Sequence, residues 1–195
     1  MYLSVVKPDF TNLHVINSLM NEQDMHRNVQ SLFQTSRKDG NILYRYLKSS
    51  DINRSLICIQ SDEQPKSVNG LEVISSINVD DRNKKITENQ EIAFDVLVHP
   101  TVGKSGKHFV IASYEERLNW FYKQGMKHGF EIKKIQEVST VNKHLKHDKY
   151  TDSTNMIGYH YKGILKVTDL NEFMKVYHTG LGRGKAYGYG MFMLT

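Results

Sequence analysis

The C-terminal segment Gly180-Leu181-Gly182-Arg183-Gly184-Lys185-Ala186-Tyr187-Gly188-Tyr189-Gly190 gathers glycines around two cations. Glycine lets backbone N–H groups approach an anion closely. Gly182, Arg183, Gly184, Lys185 and Gly188 are therefore candidates for holding a phosphate. The segment is not a Walker loop: Thr179 stands where the first glycine is required, and Ala186 replaces the Ser or Thr. Nor is it a dinucleotide fingerprint, because no G-x-G-x-x-G register fits and the pattern after it reads as a strand. A turn plus a strand that needs small residues for packing would use the same glycines, and spacing alone leaves both readings open.

The second candidate is His26, in Asp24-Met25-His26-Arg27. Asp24 can cap a helix running to about Gln34. Met25, Val29, Leu32 and Phe33 recur at helical spacing and form its buried stripe. His26 lies off that stripe in the expected first turn. A helix N-terminus disfavours the imidazolium, which would leave a neutral base near pH 7. A lone surface histidine is usually only surface, and eight others compete with it. His144 and His147 fall in a basic stretch, Lys143 to Lys149, that reads as a solvated loop. Lys104, Lys107 and His108 form another basic cluster, and Lys133, Lys134, Lys143, Lys146 and Lys149 a third. Either could track an RNA backbone, although each alone reads equally as ordinary surface.

Composition narrows the chemistry. The 195 residues carry a net charge of +5 and are 39% hydrophobic, with an isoelectric point of about 9.1. That balance favours a polyanionic partner and supplies enough apolar residues for a packed core. No apolar run reaches the length of a membrane span, and the start Met1-Tyr2-Leu3-Ser4 lacks the features of a signal peptide. A cytoplasmic protein is expected. The single cysteine, Cys58, lies in the apolar run Ile57-Cys58-Ile59 and reads as a buried core thiol. No Cys/His spacing indicates zinc, and no cluster of carboxylates indicates two-metal catalysis. No metal or cofactor is expected.

The elements that must position these residues are clearest in the second half. Residues 91–98 read as a strand, and Gly103 and Gly106 punctuate the basic loop after it. Ser113 with Glu116 signals a helix start, and Gly129 a stop. Residues 130–138 and 156–167 read as strands. Asp169 with Glu172 opens a second helix that ends at Gly180, and residues 186–194 read as a last strand. The order is β-α-β-β-α-β, the split βαβ or ferredoxin-like unit, an architecture that RNA-recognition modules use. The first half reads as a degenerate copy: a strand at 2–6, helix over 11–34 broken near Asn21, and strands at 40–48 and 54–60. Residues 62–70 and 80–90 read as connections. The expected fold is α+β, two tandem ferredoxin-like (RRM-like) βαββαβ domains, spanning residues 1–88 and 89–195.

Met1-Tyr2-Leu3-Ser4, the triplet Met25-His26-Arg27, the lead-in Gly163-Ile164-Leu165-Lys166-Val167-Thr168-Asp169 and the run from Gly180 to Gly190 occur in this order along nearly the whole chain. Together they resemble the CasE family, the CRISPR repeat-processing endoribonucleases of the type I-E Cascade system. The resemblance implies two tandem ferredoxin-like domains. It implies binding of the repeat hairpin of precursor CRISPR RNA, for which Arg27, Lys104, Lys107 and the Gly-rich residues Gly182, Arg183, Gly184, Lys185 and Gly188 are the expected contacts. It also implies metal-independent cleavage at the 3′ base of the stem. The ribose 2′-OH would attack the adjacent phosphate and leave 2′,3′-cyclic phosphate and 5′-OH ends. His26 matches the family's catalytic histidine. The product would stay bound and join other Cascade subunits, with the free protein a monomer. Some members carry a Tyr three residues before the histidine and a Lys five after it. Gln23 and Ser31 stand there in this chain, so no auxiliary catalytic role is assigned. The family strand Phe-Arg-Leu-Arg-Ala-Asn-Pro becomes Phe94-Asp95-Val96-Leu97-Val98-His99-Pro100, without either arginine. Two other readings use the same features: a non-cleaving RNA-binding module of this fold, and a structural subunit that uses its sheets for protein contacts.

Overall fold

The computed structural model describes residues 1–19, 21–146 and 153–195. The chain divides into two compact units. One comprises Met1–Asp81, Lys143–Met156 and Ala186–Gly188; the other comprises Arg82–Asn142, Ile157–Lys185 and Tyr189–Thr195.

In the first unit the order is β1 (Tyr2–Pro8), α1 (Leu13–Ser18), α2 (Glu22–Gln30), β2 (Leu43–Leu47), β3 (Leu56–Ser61) and β4 (Leu71–Asn78), followed by a short helix α3 (Asp80–Asn83). The strands form one sheet in the order β2-β3-β1-β4. β1 lies antiparallel to both β3 and β4, with a register shift between Val5 and Val6. Strand alternation places Val6, Ile57 and Ile59 on the covered face. Val15, Met25, Val29 and Leu32 from the helical segment pack on them to make the core. Each such side chain, fully buried, contributes about 1.5–3 kcal/mol. Cys58 points to the opposite face from Ile57 and Ile59 and is only half-buried, so it is not a core thiol. Burial still pushes its pKa up, which favours the unreactive form. Residues 62–70 join β3 to β4 without a helix. The polar, Pro65-containing segment has no apolar stripe to bury, so this unit is a reduced copy of the pattern.

The second unit is complete. Its elements are β5 (Glu91–Val98), the hairpin β6 (Thr101–Lys104) and β7 (Lys107–Val110), α4 (Tyr114–Lys127), the long strands β8 (Phe130–Lys146) and β9 (Ser153–Val167) up to Asn142 and from Ile157, α5 (Leu170–Thr179) and β10 (Phe192–Leu194). Sheet order is β10-β5-β9-β8. Ser113 and Asp169 cap α4 and α5 as expected, accepting from the amides of Glu116 and Glu172. Gly129 follows α4 with φ +70°, the left-handed conformation that ends helices. Phe94, Phe121, Phe130, Phe173 and Phe192 meet ring to ring between sheet and helices.

Three strands differ in extent from the sequence reading. The last strand covers only Phe192–Leu194, not 186–194. Gly188 and Gly190 have φ of +76° and +84°, outside the β region, so the backbone turns there instead of extending. The strands read at 130–138 and 156–167 are longer, reaching Lys146 and starting at Ser153. Their extensions are polar and carry little of the apolar alternation that marks a strand.

Candidate functional site

Helix α2 starts earlier than Asp24. Asn21 is its N-cap, extended at φ −147°, and its side chain accepts from the amide of Gln23. The same side chain donates to Asp24 at 3.1 Å, and Asp24 holds Arg27 at 2.9 Å. His26 is therefore the fifth helical residue, further into the helix than expected. The helix terminus is not what sets its charge state. Burial holds the His26 pKa below the usual histidine value, and the positive charges of Arg37 and then Arg27 add to it. The expected consequence, a neutral imidazole near pH 7, arises from this different cause.

His26 and Gln23 line an open groove of 820 Å³ that continues past Arg27 and Phe33 to Arg37 and Lys38. Tyr187 belongs to the same unit and stands edge-on to the imidazole, ring centroids 6.2 Å apart at 73°. Its phenol donates to Gln23 Oε1 at 3.1 Å, and its carbonyl accepts from Lys143 Nζ at 2.6 Å. Lys143 also pairs with Glu22 at 3.0 Å, with side chains 8% and 21% exposed respectively. A chain of contacts thus runs from α2 through Glu22, Lys143 and Tyr187 back to His26. Gly188 is required beside it, because a Cβ there would meet Lys143 Nζ at 3.0 Å and the Tyr44 ring at 3.1 Å. That glycine makes room for a buried ammonium, so its place in the sequence is explained by packing.

The reading of Lys143 as part of a solvated basic loop is corrected. It lies on β8, two residues from buried Leu145 and on the same face. Burial pushes its pKa down despite Glu22. His144, on the other face, bonds Asn155 at 2.9 Å in an exposed contact. His147 and Lys149 lie outside the described residues.

The remaining candidates gather on the second unit. Lys104 and Lys107 face each other across the tip of the β6–β7 hairpin. Arg183 Nη1 lies 3.1 Å from His108 Nε2 on that hairpin, and Arg183 bridges His99 through the backbone. The Gly-rich loop and the hairpin are thus brought side by side by this arginine. Gly182 and Gly184 have φ of +74° and +75°, conformations in which a side chain would be strained. Lys185 starts a 3₁₀ turn, Lys185–Tyr187. Asp95, in the strand where the resembling family carries arginines, pairs with His160 at 2.8 Å and Lys162 at 3.2 Å. Sequence reasoning missed Tyr187, Arg37 and the role of Lys143. Only the period-2 placement of Lys143 and Leu145 offered a signal. Among the described residues no group of three or more His, Cys, Asp or Glu side chains is placed to hold a metal ion, and no helix is long and apolar enough to cross a membrane.

Two four-stranded antiparallel sheets define an α+β protein of tandem ferredoxin-like units, with cations on a Gly-rich loop and a half-buried histidine on a helix. The profile of the family described as CRISPR associated protein matches residues 1–195, and the chain belongs to that family. Its fold is that of the CRISPR endoribonuclease Cse3 solved bound to a 19 nt RNA, with TM-score 0.88 and 16% identity over all of both chains. The CRISPR-associated protein Cas6e from Escherichia coli K-12 superposes with TM-score 0.79 and 17% identity, covering 100% of this chain and 98% of that one. A chain of a CRISPR RNA-guided surveillance complex captured before nicking gives TM-score 0.78 and 15% identity, with 100% and 99% covered. No curated protein matches the chain in sequence.

Proposed function

We propose that this protein is a metal-independent endoribonuclease that processes precursor CRISPR RNA. It binds the repeat hairpin and cleaves at the 3′ base of the stem. The observation that carries this reading is His26, an imidazole kept below the usual histidine pKa in an open groove bordered by Arg27, Arg37 and Lys38. Neutral at pH 7, His26 accepts the proton of the ribose 2′-OH. The oxygen attacks the adjacent phosphorus, the P–O bond to the 5′-oxygen of the next nucleotide breaks, that oxygen takes a proton from water, and a 2′,3′-cyclic phosphate and a 5′-OH result. The nucleophile belongs to the RNA, so the protein needs only to deprotonate it, align it in line with the leaving group and stabilise charge on the phosphate. Membership of the CRISPR-associated family and the fold shared with RNA-bound Cse3 support the substrate. The fold shared with a chain of a surveillance complex supports retention of the product in Cascade after cutting.

The test is incubation with the host's own repeat RNA in excess chelator, with mapping of the product ends. Cutting with a cyclic phosphate on the 5′ product is expected. Cutting that is lost in chelator and returns with magnesium or manganese excludes the mechanism. Binding without any cutting identifies a non-catalytic RNA-binding module instead.

Arg183 and Lys185 on the Gly-rich loop, with Lys104 and Lys107 on the hairpin, are assigned to the RNA backbone. Lys185→Ala is expected to weaken hairpin binding and to reduce the slope of log K against log salt by about 1, the signature of one lost phosphate contact. A salt titration that overlays the wild-type curve removes Lys185 from the interface and leaves the loop's glycines explained by packing.

A further inference from the structure

The groove beside His26 holds a cation that the fold leaves uncommitted. Arg27 is engaged with Asp24 at 2.9 Å, and Lys38 is exposed. Arg37 is half-buried and lines the same groove as His26. Its guanidinium has no hydrogen-bonded or ion-paired partner among the described residues. Its backbone, by contrast, is tied down. The Arg37 carbonyl accepts from the amide of Ile42 at 2.9 Å, and the neighbouring Ser36 carbonyl accepts from Gly40 at 2.9 Å. The Ser36 hydroxyl donates to Asp39, which directs that carboxylate to Ser36. A fixed backbone carrying an unpaired guanidinium is suited to an anion that arrives from outside.

The proposed reaction brings such an anion. As the 2′-oxygen attacks, negative charge grows on the two non-bridging oxygens of the phosphate. The planar fork of an arginine matches two oxygens at once, which a lysine cannot do. We propose that Arg37 is a second catalytic residue, contacting the non-bridging oxygens of the scissile phosphate and stabilising the charge that develops there. This rests on the reading of His26 as the base in RNA cleavage. The same guanidinium, after burial, is the main influence holding the imidazole neutral, so one side chain acts on both the base and the phosphate.

The experiment is single-turnover cleavage of the host's repeat RNA by full-length Arg37→Gln, Arg37→Lys and wild-type protein at saturating protein concentration, with hairpin affinity and thermal melting measured alongside. Removing one donor to a developing oxyanion costs about 10²–10³-fold in rate, and Arg37→Gln is expected to lose that much. Affinity is expected to change far less than rate, melting to stay as in wild type, and Arg37→Lys to recover part of the loss. A pH series adds a readout that a merely structural residue would not move. The groups facing His26 are Arg27 on its own helix, the Tyr187 ring and Arg37. Loss of the Arg37 charge lets the imidazole hold its proton to higher pH, so the acid limb of the rate profile moves up. Wild-type rate and profile in Arg37→Gln, with His26→Ala inactive, overturn the assignment of Arg37 alone. A defect confined to affinity also overturns it, since the contact then exists equally in the ground state. If the wild-type protein itself does not cut the RNA, the proposed function falls and this assignment with it.

Discussion

His26→Ala is expected to slow single-turnover cleavage of the repeat hairpin by about 10²–10⁴-fold, the usual contribution of a general base. Single turnover is the proper regime, because a product that stays bound would otherwise hide the chemical step. Hairpin affinity is expected to change little, since it rests on phosphate contacts and stem shape. The imidazole reaches the groove from the fifth position of α2, where its ring stands edge-on to Tyr187. Truncation at this half-buried position on an open groove removes little packing, so a fall in rate reports on chemistry. His144→Ala is the matched control: that ring bonds Asn155 in an exposed contact, and its loss is expected to leave the rate near wild type. A deoxyribose at the cleavage site removes the nucleophile, so that RNA should bind and stay intact. Near-normal cutting by His26→Ala means that another group is the base. Loss of binding together with cutting means that His26 contacts RNA or supports the fold.

What the sequence disclosed and what it concealed divide along physical lines. Periodicity and caps report on local structure. Ser113, Asp169 and Gly129 marked helix ends, and the stripe Met25, Val29, Leu32 marked the buried face of the segment that begins with α2; all are found in place. The Gly-rich run was legible as a turn, but not as two kinds of glycine. Gly188 is needed against Lys143, a residue far away in sequence, and no local pattern encodes such an approach. The helix cap was misplaced for a related reason. Asp24 and Asn21 are both good caps, and the choice between them is made by the bond from Asn21 to Asp24. Lys143 was read as solvated because an isolated lysine in a basic stretch nearly always is. Its burial depends on a carboxylate from α2 and a carbonyl from the C-terminal segment, three parts of the chain that only the fold assembles. Arg37 was invisible for the same reason, since its distinction is an uncommitted guanidinium in a groove shared with His26.

Lys143→Met is expected to cost about 3 kcal/mol of stability, the low end of the range for removing one partner of a buried ion pair. For a chain of this size that corresponds to a melting shift of about 6–12 °C. Methionine fills much of the space of the lysine stem, so the loss is electrostatic and not a cavity. It strands the Glu22 carboxylate, 21% exposed, and leaves the Tyr187 carbonyl without its donor. The pair is not stabilising merely by existing: burial pushes the Lys143 pKa down even though Glu22 pulls it up, so desolvation outweighs the attraction. The expected signature is therefore non-additive. Glu22→Gln combined with Lys143→Met removes both charges and should recover part of the stability lost by Lys143→Met alone, a coupling that a double-mutant cycle measures. Cleavage should fall in Lys143→Met even below its melting range, because release of the Tyr187 carbonyl frees the ring that stands against His26. A melting curve that matches wild type, with no coupling to Glu22→Gln, would show that the ammonium is solvated in solution and that Tyr187 is held by something else.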